Sequence, residues 1–238
     1  MLRGIQKRAV CILLIFTLLL GLPLSVFAAQ GDNTRRSRNA TTNLDEAVEA
    51  AKKMYYCGEL YLFTESMIKI NYDMAAIAAN LKAYINGSPD AASGKITLNN
   101  LISQYNMTSD AYNSWVDLRP RLEKYIEDLS SSNIYSRNNL NINFKNVLST
   151  INAVKPILEA ANEYTDNTSV TSLNELNKAA DAVIKRAANA NKLIEPSLTR
   201  SLRGYRDFFE EFSAFAGIID ELEDAESGAT DETGAKAN

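Results

Sequence analysis

Apolar residues recur along this chain at steps of three and four, the spacing that places side chains on one face of an α-helix. Leu60, Phe63, Met67, Ile70, Met74, Ile77, Leu81 and Tyr84 keep the step without a miss. A second stripe precedes them: Leu44, Val48, Ala51, Tyr55, Gly58 and Leu62. Together they predict a first helix over 43–86. Asn43 is a suitable N-cap, and Glu46 three residues on completes a capping box. Asn86-Gly87-Ser88-Pro89-Asp90 supplies the turn chemistry that ends the helix.

A second segment, 97–130, carries Leu98, Leu101, Tyr105, Thr108, Tyr112, Trp115, Arg119, Leu122, Ile126 and Leu129 at the same spacing. Pro120 has no N–H to donate, so the helix either kinks there or stops and restarts with Pro120 in a new first turn. A third segment reads Leu140, Phe144, Val147, Ile151, Val154, Leu158 and Ala161, with Pro156 inside it. The fourth opens on a capping box, Ser172-Leu173-Asn174-Glu175, and continues through Leu173, Leu176, Ala180, Val183, Ala187, Ala190 and Ile194. Beyond Pro196 the pattern resumes as Leu198, Leu202, Tyr205, Phe209, Phe212, Ala216 and Ile219, ending near Leu222.

The polar connections at 130–133 and 165–169 are short, which favours antiparallel neighbours. The expected fold is therefore all-α: an elongated up-and-down bundle of about four long helices, kinked or broken at their prolines, over 43–223. At about 1.5 Å per residue the first helix alone is roughly 65 Å long, so a rod is expected. The same rhythm suits a coiled coil between chains. Four such segments in one chain can satisfy each other, which favours an intramolecular bundle.

The ends do not share this pattern. Residues 1–28 read as a signal peptide. Arg3, Lys7 and Arg8 form a basic start, Cys11 to Leu20 an apolar run, and Val26-Phe27-Ala28 a site for cleavage after Ala28. No second apolar run is long enough to span a bilayer, so no transmembrane segment is expected after cleavage. An exported protein is predicted, periplasmic or extracellular. Segments 29–42 and 224–238 are polar, the latter acidic, and both are expected to be disordered.

Composition narrows the chemistry. The 238 residues include no histidine. That removes Ser-His-Asp and Cys-His catalysis, histidine-ligated metal or haem, and a histidine pH switch. Loss of the leader takes three positive charges from a chain of formal net charge −4, leaving −7. Such a chain is a poor ligand for nucleic acid, whose phosphates demand positive charge. Cys57 is the one cysteine beyond the leader, so no intramolecular disulfide can form. No glycine-rich phosphate loop, Cys-x-x-Cys pair or EF-hand loop occurs, and no cofactor or metal is expected.

The residues with candidate roles are few. Cys57 is either a buried structural thiol or the site of an intermolecular disulfide that would make a homodimer. Glu65 continues the Leu44–Leu62 stripe, so it either points inward or, the favoured reading, is solvated or held in an interhelical salt bridge. Tyr55 and Tyr56 admit a haem-ligand reading, but adjacent helical residues face different ways, so packing is the expected role. Arg200, Arg203 and Arg206 recur every third residue and form a candidate patch for an anionic partner. Asp207, Glu210 and Glu211 stand one turn on as ordinary pairing partners. Phe208, Phe212 and Phe215 share a face, with Phe209 beside it. They are either core or a partner-binding patch.

The favoured function is a non-enzymatic exported bundle that binds a protein partner or a cell-envelope component. The alternative is a bundle that holds a small ligand between its helices. An enzyme using carboxylates with Tyr or Arg ranks third.

Overall fold

The computed structural model describes the backbone of residues 34–87, 91–164 and 170–233, and side chains within 45–87, 97–162 and 173–215. Every regular element among them is helical. In order they are α1 (Thr34–Asn86), α2 (Ala91–Asp117), α3 (Arg119–Asp128), a 3₁₀ turn (Ser130–Ser132), α4 (Arg137–Tyr164) and α5 (Val170–Thr233). The fold is an all-α helical bundle. The predicted signal peptide lies outside the described residues.

The two helical ends extend further than the sequence pattern indicates. Helix α1 begins at Thr34, not Asn43, and α5 runs to Thr233, not 223. Neither 34–42 nor 224–233 carries the apolar spacing that would bury much surface. Extension of an existing helix does not need that burial, since propagation gains one hydrogen bond per residue without a new nucleus.

The predicted second helix is two. The chain breaks at Leu118 and restarts with Arg119 and Pro120 in the first positions of α3. Leu118 keeps near-helical angles, and its carbonyl accepts from both Arg121 N (3.0 Å) and Leu122 N (3.2 Å). Pro156 and Pro196, by contrast, lie inside unbroken helices. Both face solvent, where water can reach the carbonyls their rings leave unpaired.

Local chemistry explains the connections. Gly87 N–H closes α1 on the carbonyls of Ala83 (3.0 Å) and Tyr84 (3.3 Å). After α3, Asn133 takes a left-handed conformation at φ 56°, which asparagine tolerates better than most residues. Ser136 then caps α4. Asn139 N–H donates to its hydroxyl, and Ser136 N–H donates back to the Asn139 side chain, both at 3.2 Å.

Side-chain contacts set the neighbours. Phe63 of α1 packs edge-on against Trp115 of α2 and tilted against Phe144 of α4, with ring centres 5.5 and 5.0 Å apart. Asn86 pairs with Asn177, Lys82 with Asp181, and Asn71 with Asn191, so α1 and α5 run antiparallel. Tyr112 of α2 donates to the carbonyl of Phe144. The core takes in Leu60, Phe63, Met67, Ile70, Met74, Ile77 and Leu81 of α1. Every predicted apolar position of α4, from Leu140 to Ala161, is buried there as well.

One polar layer interrupts this core. Thr64, Tyr135 and Asn143 are all buried. The Thr64 hydroxyl donates to the Leu60 carbonyl at 2.7 Å and meets the Tyr135 hydroxyl at 3.1 Å. Asn143 donates to the same tyrosine oxygen at 2.6 Å. Burial, above all, pushes the Tyr135 phenol up from its ordinary range.

Candidate functional surface

The apolar seam of α5 keeps its heptad rhythm through Pro196, but its residues change character. Up to Ile194 it is Leu176, Ala180, Val183, Ala187, Ala190 and Ile194, all buried. The next buried positions are Ser197, Ser201, Gly204 and Phe208. Small groups thus occupy the inward face for three successive steps. The large apolar side chains sit one residue later, about 100° round the helix. Leu202 is 53% exposed and Phe209 49%, while Leu198, Tyr205 and Phe212 are half-buried. The core roles predicted for Leu202 and Phe209 are therefore corrected.

The same displacement occurs on α1. Its predicted first stripe turns outward at Val48 and Leu62, each 40% exposed, and Glu65 beyond them is exposed, in keeping with a solvated carboxylate. The inward positions are Ala47, Ala50, Cys57 and, of the predicted stripe, Ala51. Because the helices are antiparallel, this end of α1 lies beside the 198–212 stretch of α5. Gly58 marks the junction: a Cβ on it would stand 3.5 Å from the Tyr205 ring. Leu62, one turn from Gly58, extends the same face. An apolar strip of Leu62, Leu202, Tyr205 and Phe209 thus reaches solvent along two helices.

Close helix approach accounts for the displacement. A Cβ on Gly204 would lie 2.5 Å from Ile134 Cδ1 and 3.0 Å from both Ile134 Cγ1 and Cys57 Sγ. Only a glycine lets α5 sit this near to α1 and to the segment before α4. A larger inward residue would push α5 away.

The predicted site residues do not assemble as one site. Phe208 is buried at 9% exposure and lies under the Lys53 ammonium, 5.7 Å from its ring centre. Phe212 and Phe215 are half-buried. Arg200 is half-buried and donates from Nε to the carbonyl of Pro196 at 3.2 Å. Arg206 pairs with Asp207 (3.5 Å) and Glu210 (3.8 Å) in solvent, and Arg203 is exposed. The three arginines do not converge on one point.

Cys57 is completely buried and unpaired with another cysteine. Burial, and secondarily the charge of Asp207, pushes its thiol up to about 12. Of the two readings the sequence allows, this placement fits the buried structural thiol: the sulfur has no route to a second chain while the bundle is closed. Tyr55 and Tyr56 pack against Tyr125 of α3, Tyr56 stacked at 4.5 Å, and Arg121 donates to the hydroxyls of Tyr55 and Tyr125. That packing accounts for both tyrosines.

Two further features bear on chemistry. An open depression of about 420 Å³ between α4 and α5 is lined by Lys145, Leu148, Ser149, Asn152, Ala153 and Arg186. Arg186 there donates to the Ser149 hydroxyl at 2.6 Å. Among the described residues, no three His, Cys, Asp or Glu side chains group as metal ligands, and no helix is long and apolar enough to cross a membrane.

The spacing of apolar residues alone places Leu62 and Leu202 in the core and leaves Phe209 open between core and partner-binding patch. The signal was present in Ser197-x₃-Ser201-x₂-Gly204, a small-residue stripe in register with the seam before it. Searches against family models, curated proteins and solved structures find no match to the chain.

Proposed function

We propose that this chain is an exported, non-enzymatic helical bundle that binds a protein partner through the strip formed by α5 and α1. The observation that carries the reading is the outward placement of Leu202 and Phe209 beside an inward stripe of serine and glycine. Aromatic side chains such as Phe209 and Tyr205, held at the surface of a rigid helix, are the kind enriched at protein interfaces. Export is supported by the basic start, apolar run and cleavage pattern of residues 1–28. The partner is accordingly a protein met outside the cytoplasm, a second copy of the chain included.

The test is affinity recovery from the host's envelope and extracellular fractions, with the parent chain and with the Leu202→Asp, Phe209→Asp double variant. Both substituted residues are exposed, so the fold should persist, as checked by circular dichroism. A partner retained by the parent and lost by the variant supports the reading. Equal retention by both places the binding surface elsewhere.

A further inference from the structure

Between residues 200 and 211 the charges of α5 are sorted by position. Arg200, Arg203 and Arg206 come first, and Asp207, Glu210 and Glu211 follow. The exposed apolar strip spans the boundary between them, with Tyr205 near its middle. A second copy laid parallel would set arginine against arginine. Laid antiparallel, it sets the basic half of each α5 beside the acidic half of the other. The apolar strip is then matched to itself about a twofold axis close to Arg206. Such a surface is self-complementary, as a closed twofold dimer requires.

We infer that the partner of this surface is a second copy of the chain, docked antiparallel along α5. The inference rests on the strip being the binding surface. Leu202, Tyr205 and Phe209 form the centre of the contact, and Leu62 of α1 widens it. Arg203 meets Glu210 of the copy on the rim. The intrahelical contact of Arg206 with Glu210 is solvent-exposed and weak, so it does not hold Glu210 away. The strip is small, so the dimer belongs with weak, concentration-dependent assemblies. Rim charges then choose the orientation.

The experiment is sedimentation equilibrium of the protein as recovered from its host, over a wide concentration range. The parent should dimerise reversibly. Phe209→Asp should raise the dissociation constant about thirtyfold or more, the loss of one interface anchor. Arg203→Glu and Glu210→Arg should each weaken self-association about tenfold. A mixture of these two variants should associate as tightly as the parent, since each then carries the charge the other lacks. A parent that is monomeric at every concentration overturns the inference. So does a dimer untouched by Phe209→Asp, or one in which mixing the charge variants restores nothing. Recovery of a different protein that Phe209→Asp abolishes, from a chain that stays monomeric, keeps the strip as a binding surface while removing the second copy as its occupant.

Discussion

Gly204→Ala tests the close packing that turns the apolar strip outward. Two effects oppose each other. Alanine is favoured over glycine in a helix by about 1 kcal/mol. The added methyl would meet Ile134 Cδ1 at 2.5 Å, about 1 Å inside ordinary contact, and both Ile134 Cγ1 and Cys57 Sγ at 3.0 Å. Ile134 can yield by rotation, but Cγ1 is near its backbone and Cys57 is completely buried. Overpacking of this kind costs about 1–3 kcal/mol. The net expectation is destabilisation of about 0–2 kcal/mol in the parent. In an Ile134→Ala background the main obstacle is gone, and Gly204→Ala should stabilise by up to about 1 kcal/mol. The coupling across the double-mutant cycle should be about 1–3 kcal/mol. Urea denaturation, read at constant m, measures all four variants. If Gly204→Ala stabilises the parent and the Ile134→Ala background equally, α5 does not approach the Ile134 segment as described.

The core assignment is tested by Ile70→Asp and Val147→Asp, both of which bury an unpaired charge and should abolish cooperative melting. Parent-like melting of both would contradict it. Cys57 should react with a thiol reagent only after unfolding, and native protein should run as a monomer on a non-reducing denaturing gel; rapid labelling of the folded chain would show an open thiol. The same thiol predicts a pH effect. It ionises near pH 8.5–9 when unfolded but near about 12 when folded, so unfolding releases a proton between those values. Its contribution is intact below that window, and stability falls as pH rises through it, by up to about 1.4 kcal/mol per pH unit. Cys57→Ala should reduce that slope without abolishing it, because buried Tyr135 and Tyr112 shift in the same direction. Tyr135→Phe removes the oxygen that Asn143 donates to and should cost about 1–3 kcal/mol by chemical denaturation.

Much of the bundle is legible in the sequence because most of its seam is apolar. The α4 stripe and the Leu60–Leu81 run of α1 can be read off by spacing alone. The reading fails where seam residues stop being apolar. Ser197, Ser201 and Gly204 carry no hydropathy signal, so the eye follows Leu198, Leu202 and Phe209 instead and slips by one residue. What selects the inward face is the space left by Ile134 and Cys57, which come from other parts of the chain. Ile134 and Tyr135 are themselves invisible to a helical template, because they follow a left-handed Asn133 and enter the core from a connection. The same distance dependence hid the strip. Leu62 and Leu202 are 140 positions apart, and only the antiparallel pairing of α1 with α5 places them on one surface.

Native mass spectrometry of the protein taken from its host's envelope and extracellular fractions tests the central claim most directly. The parent should appear in a complex, either with its own copy or with another protein, and the Leu202→Asp, Phe209→Asp variant should appear as a bare folded monomer. A complex that survives both substitutions would contradict the assignment of the α5 strip as the binding surface. An added mass of a few hundred daltons on a monomer would instead point to a small ligand.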